Sequence, residues 1–344
     1  MTGHPTVTAE PARPEAERDL STNGRKVGRF LLRASIGMGL IAFLLSRADL
    51  ASVVDSLSEA SYGYVALACV LVLIALVLGG PRWRPYLHRL GFEVPMREAI
   101  RLSMIGAFFN AFLPTGIGGD AYRAFMVQRG SGRLSRAFAS VVLDRAAGVI
   151  GMASIAVVGL TSQMTLGGRT AEMLPAALTS FVILLTYGIL MVVGRRFGGS
   201  ALPSGGRGIR GQLAVLLRGV AYGAADPRTS LRACATGVLT AVLLLGASLL
   251  LARAVHLSVP VGGMAAILLL ASVIAIVPLS INGVGFREAV YMWGLAAYGI
   301  GHDTALAFAL LALGVGLTSS ALCGTVFAAG GGRQSNGEDE AVGG

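Results

Sequence analysis

Three short stretches of this chain hold residues able to do chemistry. The first is "PTGIGGDAYRA" from Pro114, which carries Asp120 and Arg123; the second is "PLSINGVGFREA" from Pro278, which carries Arg287 and Glu288. The third, "SVVLDRAAGVIG", places Asp144 and Arg145 side by side. An arginine guanidinium binds phosphate or carboxylate through two parallel hydrogen bonds, which a lysine cannot do. A helix beginning just after a glycine-rich break also presents free backbone N–H groups that favour an anion. The chemistry these residues suit is therefore capture of an anionic group.

Without gaps, Pro114 aligns with Pro278, Ile117 with Ile281, Gly119 with Gly283, Tyr122 with Phe286 and Arg123 with Arg287. Proline ends a first helical leg, and Gly116, Gly118 and Gly119, or Gly283 and Gly285, permit the turn into a second. Asn110 and Asn282 flank the two breaks, where they suit either a polar cavity or hydrogen bonding between helices. Asp120 pairs readily with Arg123 three residues on, but it also suits a helix N-cap. Arg123 also suits an anchor where the hairpin leaves an apolar phase, and Asp144 with Arg145 a purely intraprotein ion pair.

The elements that must position these charges are apolar. Hydrophobic residues make up 54% of the 344 and charged residues only 13%, against about 25% charged in soluble proteins. Stretches at about 30–46, 62–80, 137–161, 174–194, 233–252 and 303–329 read as full membrane spans, since about 20 apolar residues cross a bilayer core. Their solid apolarity excludes a β-barrel, whose strands alternate. The legs 99–113 and 120–128, and 262–277 and 286–300, are too short to span singly. The net charge of +10 lies in arginine clusters between spans, which suits orientation and anionic lipid rather than nucleic acid. The loop after residue 80, the stretch 129–136 and the loop 195–232 are basic and read as cytoplasmic, while 253–261 reads as external. On this reading the two hairpins enter from opposite faces. The expected fold is an all-α polytopic membrane protein of about six full transmembrane helices plus two oppositely oriented re-entrant helical hairpins, an inverted repeat. Inverted repeats with broken helices are a transporter signature.

Residues 1–28 and 330–344 read as disordered cytoplasmic tails and 195–212 as a flexible cytoplasmic linker within a membrane domain at 29–329. Cys69, Cys234 and Cys323 stand singly in apolar runs and His4, His88, His256 and His302 are scattered. No metal or cofactor is expected from them.

At the quoted motifs, "NAFLPTGIGGDAYRAFMVQRG", "SRAFASVVLDRAAGVIG" and "VPLSINGVGFREAVYMWGLAAYGI", the chain resembles the transmembrane (flippase) domain of lysylphosphatidylglycerol synthases, the multiple peptide resistance factors. The resemblance covers roughly residues 28–329. It implies movement of a lipid between leaflets of the plasma membrane, with Asp120, Arg123, Asp144, Arg145, Asn282, Gly283, Gly285 and Glu288 as functional positions. The second motif, "SINGVG", is less glycine-rich at its start than the family pattern. The soluble aminoacyl-transferase domain is not among these residues, so lipid synthesis is not expected. The expected partner is a membrane lipid with an anionic or phosphate-bearing headgroup. Two other readings stay open: a membrane-embedded transferase using Asp120 and Asp144, and a non-catalytic partner of a separate lipid-modifying enzyme.

Overall fold

The computed structural model describes residues 32, 35–113, 118–129, 132–165, 174–197, 208–276, 280 and 283–339. Pro114, Gly116, Pro278 and Asn282 lie outside the described residues, as do residues 1–28. Every regular element described is helical, and the chain is an all-α polytopic membrane protein. The helices are α1 (Ser35–Ser46), α2 (Leu50–Ser58), α3 (Tyr62–Val77), α4 (Gly79–Arg89), α5 (Met96–Phe112), α6 (Gly118–Gln128) and α7 (Leu134–Thr165). They continue as α8 (Leu174–Phe197), α9 (Gly208–Ala225), α10 (Pro227–Ala254), α11 (Val261–Ile276), α12 (Phe286–Ala296) and α13 (His302–Asp339).

Among the described residues, five segments are long and apolar enough to cross a membrane: Tyr62–Arg89, Leu134–Met164, Leu174–Arg196, Pro227–Ala254 and His302–Ala328. The described part of the first apolar stretch, α1, bends by 95° into α2, and together they make a sixth at most. The bend has a local cause. Asp49 caps α2 by accepting from Ala51 N at 3.1 Å and from Ser52 Oγ at 3.0 Å, which starts a new helix rather than extending the old one. Asp226 does the same for α10, accepting from Thr229 N at 2.9 Å, with Pro227 at the first helical position. On α8 the outward residues Phe181, Leu185, Ile189 and Val192 are each at least half exposed. That pattern fits contact with lipid chains rather than water.

The element bounds differ from the expected ones in places. The second span does not stop at residue 80, because α3 runs on through α4 to Arg89. The Gly79–Gly80 pair lets helices approach instead of ending one: a side chain on Gly80 would overlap the Ile100 backbone of α5. Within 195–232, α9 is an ordered helix that packs on α7 and α8 through Val215, Gly219, Tyr222 and Gly223, so only its first residues fall in the expected linker. Helix α13 runs from His302 to Asp339, and its apolar span ends at Ala328.

Both interrupted regions fold as helical hairpins, with α5 packed on α6 and α11 on α12. The second leg of the later hairpin ends at Ala296, short of the expected 300. The two hairpins sit in matching surroundings, since α7 lies against α11 while α13 lies against α5. In the first hairpin the legs touch backbone to backbone, because a Cβ on Gly119 would overlap the carbonyl oxygen of Gly106. In the second, Gly283 and Gly285 have φ of 73° and 88°, a region that side chains disfavour.

Candidate functional site

Charges from α4, α6 and α7 meet inside the bundle. Asp144, fully buried on α7, accepts from Arg82 Nε at 2.8 Å through one carboxylate oxygen and from Arg123 Nη2 at 2.8 Å through the other. Asp120 accepts from Arg145 Nε and lies 3.9 Å from Arg123 Nη1. The result is a continuous chain, Arg82–Asp144–Arg123–Asp120–Arg145, of three cations and two anions. Burying any of these charges alone costs several kcal/mol, and the pairing offsets it.

Neighbouring residues hold the chain in place. The Arg123 guanidinium lies 4.0 Å from the centre of the Trp83 ring, a cation–π contact. Trp83 Nε1 in turn donates to Ser140 Oγ at 3.0 Å, one turn before Asp144 on α7. Asn110 Oδ1 accepts from Gly119 N at 2.9 Å and Asn110 Nδ2 donates to Asp120 Oδ1 at 3.3 Å, so this one amide ties both legs of the hairpin together.

The second hairpin is built differently. The Gly285 N–H donates to Glu288 Oε2, closing the first turn of α12. Glu288 is fully buried, and its other oxygen lies 3.4 Å from Arg287 Nη2. That oxygen makes no hydrogen bond among the described residues, and neither does Arg287 Nε. Arg287 is thus held more loosely than the arginines of the first cluster.

A cavity of about 430 Å³ lies beside this network, lined by residues of α3, α4, α7 and α10 to α13. Arg82, Arg145 and Arg287 line it, while much of its wall is apolar, including Leu76, Met152, Leu244 and Leu268. One glycine makes room for a guanidinium group: a Cβ on Gly148 would lie 3.0 Å from Arg82 Nη1. Neither Asp120, Asp144, Glu288 nor Arg123 lines the cavity.

Of the residues singled out in the sequence, the structure therefore brings Asp120, Arg123, Asp144 and Arg145 into one network and places Arg145 and Arg287 on one cavity. Glu288 sits behind Arg287 and caps α12. Arg82 was missed, because it reads as part of a basic loop. A signal was present: Trp83, Tyr86 and Leu87, all buried, carry an apolar stripe of helical spacing past Arg82. No group of three or more metal-ligating side chains occurs among the described residues.

Among curated proteins, none matches this chain. Residues 30–324, which include the whole charge network and both hairpins, match the family described as the lysylphosphatidylglycerol synthase TM region, and the chain belongs to that family.

Proposed function

We propose that this protein is a flippase-like transporter that moves a phosphate-bearing lipid between the leaflets of the plasma membrane. The observation that carries the reading is the cavity: three guanidinium groups, contributed by α4, α7 and α12, face one apolar-walled space of about 430 Å³. Guanidinium groups match phosphate oxygens and the walls match lipid chains. The family supports a role in lipid handling. Two packed hairpins in matching surroundings support alternating exposure of the cavity from the two sides, with each hairpin re-entrant from its own face.

The test is reconstitution of the full chain in liposomes holding a fluorescent phospholipid, with a membrane-impermeant quencher added outside. Quenching beyond the outer-leaflet fraction is expected. Quenching equal to protein-free liposomes would refute transport. That outcome would favour a non-catalytic partner of another enzyme. The transferase reading is less well supported, because a general base needs an oxygen free to take a proton, and both Asp120 and Asp144 are engaged by guanidinium groups.

The arginine distribution supports cytoplasmic termini. Ser258 and Glu93 are both exposed, in the loops after α10 and α4. With native cysteines replaced, Ser258→Cys should react with an impermeant maleimide on intact cells and Glu93→Cys only after permeabilisation. The opposite pattern would invert the orientation.

A further inference from the structure

We infer that Glu288 is a proton-binding site linked to the cavity: a proton from bulk water adds to its Oε1 when an anion takes hold of Arg287, and departs when the anion leaves. The inference rests on the reading of the cavity as the place where an anion binds, and its experiment separates the two.

The first ground is that Glu288 depends on one cation. Asp144 is held by Arg82 and Arg123, and Asp120 by Arg145, with Arg123 at 3.9 Å and Asn110 Nδ2 at 3.3 Å besides. Each aspartate therefore keeps a cation if an arginine of the cavity is drawn away. Glu288, fully buried, has only the Gly285 N–H on Oε2 and Arg287 Nη2 at 3.4 Å from Oε1. That Oε1 makes no hydrogen bond among the described residues.

The second ground is the surroundings. Helix α12 packs on α11 and α13, and Gly285 lies against Gly37 and Leu40 of α1. The described parts of α1 and α11 hold no ionisable residue, and α13 holds none between Asp303 and Cys323. On α12 itself the other ionisable neighbour is Tyr291, one turn on, which supplies no positive charge. Arg82 and Arg145 face the cavity from α4 and α7, and they are engaged by Asp144 and Asp120. Among these groups none replaces Arg287 at Glu288.

The third ground is where Arg287 points. It lines the cavity, and its Nε has no partner among the described residues. An anion bound there shares one guanidinium with Glu288. Two negative charges on one cation in a dry interior disfavour ionisation of the weaker acid. Against a phosphodiester the weaker acid is the carboxyl, so the proton goes to Glu288. Linkage is reciprocal: the proton strengthens anion binding by the same factor as the anion strengthens proton binding. A monoanion and a proton held together add no net charge, so a proton gradient would drive the pair toward the more alkaline side.

The test is isothermal titration calorimetry of the full chain in detergent, in buffers of different ionisation enthalpy. The probes are dihexanoyl phosphatidylmethanol, a phosphodiester that does not titrate near neutral pH, and chain-free dimethyl phosphate. Uptake of up to one proton per lipid is expected, with the dissociation constant rising by as much as about tenfold per pH unit between about pH 5 and 8. Glu288→Gln, whose side chain still accepts from the Gly285 N–H, should bind without proton uptake and with an affinity independent of pH. Wild-type binding with no proton uptake and a flat pH profile would overturn the inference and leave the cavity reading standing. Uptake that persists in Glu288→Gln would overturn it as well, by placing the proton elsewhere. Dimethyl phosphate binding as tightly as the lipid, with the same uptake, would keep the proton link and assign the anion to free phosphate rather than lipid. Proton-linked lipid binding without translocation in liposomes would remove the transport reading and leave the link. Failure of the wild type to bind either probe would overturn both.

Discussion

Asp144→Ala should lower the stability of the detergent-solubilised protein by about 3–5 kcal/mol, the usual cost of removing one partner from a buried ion pair. Asp144 is the node of the network: its two oxygens hold Arg82 and Arg123 at 2.8 Å each, and its side chain is 1% exposed. Without it, Arg123 keeps only a 3.9 Å approach to Asp120 and its stack on Trp83. Asp144→Asn should be nearly as damaging, because its amide nitrogen would turn a donor toward one of two donors. The diagnostic variant is Asp144→Ala with Arg123→Met, which removes the buried cation together with its partner. Since a buried pair replaced by apolar groups is often close to neutral, the double variant should recover part of the loss. Thermal or denaturant unfolding measures this. A single variant within about 0.5 kcal/mol of wild type, the range of ordinary surface substitutions, would mean that the network does not hold α4, α6 and α7 together.

The second large effect concerns function rather than stability. Arg287→Gln should reduce lipid translocation about ten- to a hundredfold, corresponding to loss of a charged hydrogen bond worth roughly 1.5–3 kcal/mol. Arg287 lines the cavity, touches Glu288 only at 3.4 Å, and has an Nε without a partner among the described residues. It is the cation freest to reach a phosphate. Its removal also strips the buried Glu288 of its partner, so a stability loss would confuse the result. Arg287→Gln with Glu288→Gln removes both charges, and the neutral side chain at 288 can still accept from the Gly285 N–H. This double variant should regain stability but not translocation. If it regains both, Arg287 serves only to neutralise Glu288. Arg287→Lys should be intermediate, since it keeps the charge and loses the planar fork. Arg123 is a poorer position for such a test, because it does not line the cavity.

The cavity changes the meaning of the two sequence motifs. Their arginines occupy matching positions, nine residues after each proline, yet they do different work. Arg123 is locked between Asp144 and Trp83, and Arg287 faces open space. The face that Arg287 presents in the second half is supplied in the first half by Arg82 and Arg145. The repeat of sequence is therefore a repeat of hairpins rather than of ligands.

The sequence alone determined the membrane-helical class, both interrupted hairpins and the identity of the buried charges Asp120, Arg123 and Asp144. All of these depend on local quantities: the transfer energy of an apolar run, the helix-breaking effect of proline, and the cost of a charge at mid-membrane, which makes any such residue conspicuous. The length of α4 was also written locally, in the Trp83, Tyr86 and Leu87 stripe, but the two glycines and the basic residues beside it imitate the end of a span. Only the tertiary structure decided which charges pair and which face the cavity. Arg82 and Asp144 are 62 residues apart, and Arg145 reaches past its neighbour Asp144 to Asp120 on another helix. In a helix surrounded on several sides, periodicity does not mark one inward face. Which guanidinium meets which carboxylate then depends on how α4, α6 and α7 approach one another, and those approaches are set by contacts such as Trp83 on Ser140, 57 residues apart, and by the close packing of Gly80 and Gly119 on α5.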